Sequence, residues 1–92
     1  MIQNIITEEL ILKEKSRIEL SIDTIDFSGS DMAKHVFEFV TNYFLDSDYF
    51  FKKGDFVSCF EALIICWAYI DVSAKLKIIE IPENLKSSFT VD

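Results

Sequence analysis

Four aspartates carry the spacing in this 92-residue chain that most suggests acid–base chemistry. Asp46 and Asp48 stand just before Gly54, Asp55 just after it, and Asp71 beyond a long apolar run. A carboxylate that is buried and raised in pKa is a candidate general acid or base. Asp46 is the most interesting of the four: it lies about one turn past Tyr43 in a Phe-rich segment, where aspartate is a poor helix former. The competing role for these carboxylates is structural. One that accepts a hydrogen bond from a Tyr hydroxyl or from Trp67 Nε1–H would hold helices in register and do no chemistry. That role is favoured, because no nucleophile, oxyanion donor pair or second catalytic group accompanies the aspartates.

The other reactive side chains are few. The single histidine, His35, has Asp31 at i−4 and Glu38 at i+3, which places a carboxylate–imidazole cluster on one helix surface. A di-metal bundle needs inward Glu-x-x-His pairs from two helices, so one His in the reversed order reads as a solvated face. Cys59 and Cys66 are seven residues apart on one expected helix. That separation is about 10 Å, beyond the ~7 Å a disulfide spans. They are expected to be buried, reduced thiols. There is no Gly-rich phosphate loop, G-x-S-x-G elbow or H-E-x-x-H pair, and no motif calls for a cofactor or metal.

The elements that must position these residues are helical. Two Gly and one Pro give too little turn chemistry for a many-stranded β fold, while half the residues are apolar and nine are Phe. We expect an all-α three-helix bundle, a single domain over residues 1–92, with a long central hairpin. The first helix is expected over about 4–21, capped by Asn4 or Thr7, with Ile6, Leu10, Ile11 and Ile18 inward. The period-two alternation at 18–22 is read as that helix fraying into a linker, which Ile25 and Phe27 pin to the bundle.

The second helix is expected over about 31–53, capped by Ser30 or Ser28. Met32, Val36, Phe39, Val40, Tyr43, Ser47 and Phe50 make its inner stripe, and Phe37, Phe44 and Phe51 a second one. Its end is strongly specified: Lys52 and Lys53 suit the last turn, Gly54 the left-handed position beyond it, and Asp55 the cap of the next helix. The third helix is expected over about 56–79. Between 62 and 70, Ile64 and Ile65 included, it is apolar all round, and such a helix is normally buried on every side. Three helices rarely bury one of their number so fully, so either the C-terminal tail or a second copy should cover it. Pro82 ends the helical region, leaving a tail over 82–92 with a short turn around Leu85 and with Phe89 and Val91 as docking points.

The net charge of −7 and pI near 4.5 argue against a general phosphate-binding surface. Lys52-Lys53 and Lys75/Lys77 fall near helix C-termini, where cations complement the helix dipole. No basic, apolar leader opens the chain, and the longest uncharged apolar run has nine residues against the ~20 of a bilayer span. The expectation is a cytoplasmic protein that engages neither nucleic acid nor membrane.

The run Tyr43-Phe44-Leu45-Asp46-Ser47-Asp48-Tyr49-Phe50, then Gly54-Asp55-Phe56-Val57, Phe60 and Ala62, and finally Trp67-Ala68-Tyr69-Ile70-Asp71-Val72, resembles an archaeal family of small helical domains of unknown function, the one numbered three-five-seven. The resemblance covers about residues 30–76. Ser47 and Cys59 stand where the family prefers Ala, and Ala68 where it often has Gly. It implies a three-helix bundle and an archaeal cytoplasm, and it brings no activity. A fainter likeness to helical nucleotide- and RNA-associated domains lacks their Arg–His pair, since Arg17 and His35 fall on different expected helices.

Two functions follow as expectations. One is a non-enzymatic interaction module that forms a homodimer or docks a protein partner through Phe37, Phe44, Phe51, Ile64 and Ile65. The other is a small hydrolytic or ligand-binding bundle using Asp46, Asp71 and a nearby Tyr. The second requires a polar pocket between the second and third helices and a carboxylate that titrates high.

Overall fold

The computed structural model describes residues 5–91. Three helices, α1 (Glu8–Thr24), α2 (Asp31–Lys52) and α3 (Phe56–Lys75), are followed by a short 3-10 helix, Glu83–Ser88. The expected all-α three-helix bundle is present, and no strand occurs among the described residues.

Each long helix begins on a side-chain cap that satisfies an otherwise orphaned N–H. Thr7 Oγ1 accepts from Leu10 N (3.1 Å), Ser30 Oγ from Ala33 N (3.0 Å) and Asp55 Oδ1 from Ser58 N (3.1 Å). The hairpin turn follows the expected chemistry. Gly54 sits at φ 76°, the Gly54 N–H donates to Phe51 O (3.0 Å), and the Asp55 N–H donates to Phe50 O (3.0 Å). These are the two bonds of a Schellman stop, and they need a left-handed residue between them.

α1 differs from expectation at both ends. It begins at Glu8 rather than near residue 4 (residues 1–4 lie outside the described part), and it runs on to Thr24 instead of fraying at 21. Ile11, Glu14, Ile18, Ser21 and Ile25 form one buried row at helical spacing, and the Ser21 hydroxyl satisfies itself on Arg17 O (2.8 Å). The period-two alternation was accidental: Leu20 is half exposed. Ile25 and Phe27 do pin the linker, each being buried.

α2 keeps most of its expected inner row, with Tyr43 and Phe50 packed against the core, but Ala33 takes the place of Met32 and Phe39. Ala33, Val36, Val40 and Ser47 are buried, whereas Met32 and Phe39 stand 60% and 46% exposed. Small residues occupy the α2–α3 contact because they let the backbones approach, as Cys66 Sγ shows by donating to Val40 O across it (3.3 Å).

α3 stops at Lys75, four residues short of expectation. The stop is a second Schellman pair, Ile78 N–H to Ser73 O (2.9 Å) and Lys77 N–H to Ala74 O (3.0 Å), with Lys77 at φ 62° in the left-handed place. The reversal sends Ile79 and Ile81 into the core, and Leu85 and Phe89 follow from the tail. The tail is thus a fourth packing element, its expected turn around Leu85 present as the 3-10 helix and Phe89 and Val91 docked on the core.

The molecule measures 40 × 28 × 18 Å. With helices about 10 Å across, the thin dimension holds two layers. A two-layer bundle leaves outer helix faces uncovered. The expected all-round burial of 62–70 is therefore not met: Cys59, Ala62, Leu63, Cys66 and Ile70 are buried, while Ile64 and Ile65 lie open at 41% and 37%. α3 is long and apolar enough to cross a membrane by length and composition, and here it packs against both other helices.

Candidate interaction face

The four aspartates go to four separate places. Asp46 is exposed on α2, and no side-chain hydrogen bond or ion pair engages it among the described residues. Asp48 bridges α1 and α2: its carboxylate takes Lys15 Nζ at 2.9 Å and Lys52 Nζ at 3.0 Å, and Lys15 first, then Lys52, hold it below the usual carboxylate range. Lys15 also lies over the Phe51 ring (4.9 Å to its centroid) and near that of Phe44 (6.0 Å), so its stem and charge cap two aromatics at once. Asp55 is the α3 cap, held low by its hydrogen bonds from Ser58.

Asp71 is the buried one. Its Oδ1 accepts the Thr90 N–H (2.8 Å), its Oδ2 accepts the Thr90 hydroxyl (2.6 Å), and Lys75 Nζ stands 3.3 Å from Oδ2. Burial pushes this carboxyl up, but the two Thr90 donors and Lys75 outweigh it, and the group ends below its ordinary range. Close by, Trp67 Nε1–H donates to Ser88 O (2.7 Å), the same carbonyl accepts Arg17 Nη2 (3.1 Å), and Phe89 stacks on Trp67 (centroids 6.0 Å, 12°). Arg17 in turn neutralises buried Glu14 (2.8 Å).

Asp71 and Trp67 therefore do hold elements together, but the partner is the tail, not Asp46 or a Tyr. Arg17, Ser88 and Thr90 complete this lock. The sequence marks Arg17 only by its i, i+3 spacing from Glu14, and Ser88 contributes a backbone carbonyl that no side-chain pattern reveals.

Tyr43 is half-buried and stacks on Tyr69 (6.0 Å), which also takes Phe39 (5.4 Å). His35 is exposed, 4.0 Å from Glu38, and no group of metal-ligating side chains forms among the described residues. Cys59 and Cys66 are buried and free; burial raises both thiols, that of Cys66 to about 12. Of the carboxylates expected to serve a hydrolytic bundle, Asp46 is exposed and Asp71 is engaged by the tail. Asp71 titrates low, and the groove on the α3 surface is apolar, lined by Ile65, Ala68, Tyr69, Val72 and Ser73. A cleft of about 580 Å³ lies elsewhere, between the α1–α2 linker and the chain after α3, with Asp26, Lys77, Glu80 and Lys86 on its walls.

The five expected interface residues separate. Phe44 and Phe51 are half-buried against the core and covered by Lys15; Phe37 packs on Phe27 (5.3 Å) at 39% exposure. Phe44 and Phe51 thus lie under α1 through Lys15, while Phe37 stays about as exposed as Ile65, beside the linker. Ile64 and Ile65 do lie open, and they belong to a larger face. Val57, Ile64, Ile65, Val72 and Leu76 are all exposed on α3, Ala68 is half-buried in their midst, and Phe39 borders them through Tyr69. The charges in this row are Glu61, which has no ion-pair partner among the described residues, and Lys75.

Side chains of this size, each about half exposed, present on the order of 500 Å² of apolar surface, within the upper part of what a monomer's largest patch covers. Searches of family models, curated proteins and solved structures find no match to this chain, so the resemblance of residues 30–76 to an archaeal family rests on the quoted residues alone.

Proposed function

We propose that this protein is a non-enzymatic self-association module, working in the cytoplasm, whose contact surface is the open face of α3. The observation that carries the reading is the exposed row Val57, Ile64, Ile65, Val72 and Leu76 on the most apolar helix of the chain. Leaving such a row in water forfeits burial worth roughly 25 cal/mol per Å². Half-buried Ala68 and Tyr69, with the stems of Glu61 and Lys75, extend the face toward the ~800 Å² per partner of a standard interface. The carboxylates are engaged in caps, bridges and the tail lock or lie free in solvent, which gives a hydrolytic reading less support.

Sedimentation equilibrium tests this directly. The native chain should show a concentration-dependent dimer in the micromolar range, and Ile65→Asp should shift it to monomer with its helical circular dichroism unchanged. A native chain that stays monomeric at about 200 µM, where even a small interface is populated, refutes the reading. So does a monomer that binds neutral lipid vesicles through the same residues.

A further inference from the structure

We propose that the second copy packs antiparallel on the first, the two α3 helices crossing on a twofold axis at Ala68 with Glu61 of each facing Lys75 of the other. The proposal rests on the self-association reading and adds the arrangement.

Three features of the face converge on it. Glu61 and Lys75 stand seven residues either side of Ala68, two helical turns in each direction, so all three share one row. An antiparallel pair centred on Ala68 sets unlike charges opposite each other twice. A parallel pair sets Glu61 on Glu61 and Lys75 on Lys75, which like-charge repulsion disfavours. Glu61 has no ion-pair partner within its own chain among the described residues, and Lys75 is half exposed with only Asp71 beside it.

The shape agrees with the charge. Ala68 is the smallest side chain of the row and lies in the groove of about 370 Å³ whose other walls are Ile65, Tyr69, Val72 and Ser73. A small residue at a helix crossing lets the axes close to the 8–10 Å of packed helices. The groove then receives a branched side chain from the other copy, and a twofold returns the same contact in the reverse sense. About the Ala68 centre, Ile64 of one copy meets Val72 of the other.

Charge reversal with mixing is the experiment. Glu61→Lys alone and Lys75→Glu alone should each weaken dimerisation about tenfold or more, since two attractive pairs become two repulsive ones. The double variant should return to within about threefold of the native chain. An equimolar mixture of the two single variants should form a heterodimer that neither forms with itself. Lys75→Glu also puts a second carboxylate beside Asp71, so Ala68→Cys supplies a variant that leaves the tail lock untouched. Air oxidation should convert it to a disulfide-linked dimer, the native thiols being buried. A native dimer indifferent to both reversals, without heterodimer selectivity and without the cross-link, overturns the arrangement while self-association stands. A native monomer overturns both.

Discussion

Asp71→Asn measures what the tail lock contributes. The substitution keeps the side chain's size but removes its charge and turns one acceptor into an NH₂ donor facing Thr90 or Lys75. Hydrogen bonds to a charged group are worth about 1.5–3 kcal/mol each, and two come from Thr90. Thr90 is exposed, however, so its freed N–H and hydroxyl rehydrate, and the half-exposed Lys75 pair adds little. The net loss should be about 2 kcal/mol, or roughly 8–16 °C in Tm for a domain of this size.

The assay is built in. Trp67 is the sole tryptophan, and it stacks on Phe89 and donates to Ser88 O, so its fluorescence reports tail docking as well as global unfolding. The pH dependence gives a second check. Because the folded Asp71 carboxyl lies below its ordinary value, the unfolded chain takes up the proton first as pH falls. The contribution is complete above the unfolded carboxylate range, near pH 4, and is lost as pH drops through the lower folded value. The stability gap between native and Asp71→Asn should therefore be widest near neutrality and close on acidification. A gap under about 0.5 kcal/mol at neutral pH, or one that does not change down to about pH 3, refutes the lock.

Three further outcomes follow from the backbone, the thiols and the Lys15–Asp48 bridge. Lys77→Gly should stabilise the protein by up to about 1 kcal/mol in urea unfolding by relieving a left-handed lysine, whereas Gly54→Ala should cost about the same, since no atom lies within 4 Å of the added Cβ and only φ resists it. Cys59 and Cys66 should react with a thiol reagent at neutral pH no faster than the chain unfolds, because burial raises both thiols; rapid labelling of folded protein would contradict that placement. Lys15→Ala should cost about 1 kcal/mol or more in thermal unfolding, and high salt should recover little of the difference, because part of the loss is the stem covering Phe44 and Phe51.

Both Schellman stops use the same pair of hydrogen bonds, yet only one was legible in the sequence. Gly54 announces a left-handed residue because glycine is the residue that adopts it freely; Lys77 adopts it with nothing in its chemistry to say so, and the expected helix ran past it to residue 79. The faces of α3 pose the same problem in another form. Amphipathic reasoning needs contrast between faces, and this helix is apolar on both, so hydrophobicity could not separate its buried side from its open one. Size distinguishes many of the fully buried positions from the open ones, while Phe56, Phe60 and Trp67 pack half-buried against the core. The inward face carries Cys59, Ala62, Cys66 and Ser73 alongside Leu63 and Ile70, because α2 approaches too closely for bulk everywhere; the outward face carries Val57, Ile64, Ile65, Val72 and Leu76. A row of large aliphatics facing water, interrupted by one alanine and two opposite charges placed symmetrically about it, is what supports the proposed contact between chains. On that ground the proposed self-association surface keeps Ile64 and Ile65 of the expected set and extends along the outer face of α3, since Phe44 and Phe51 of the α2 stripe lie half-buried under Lys15.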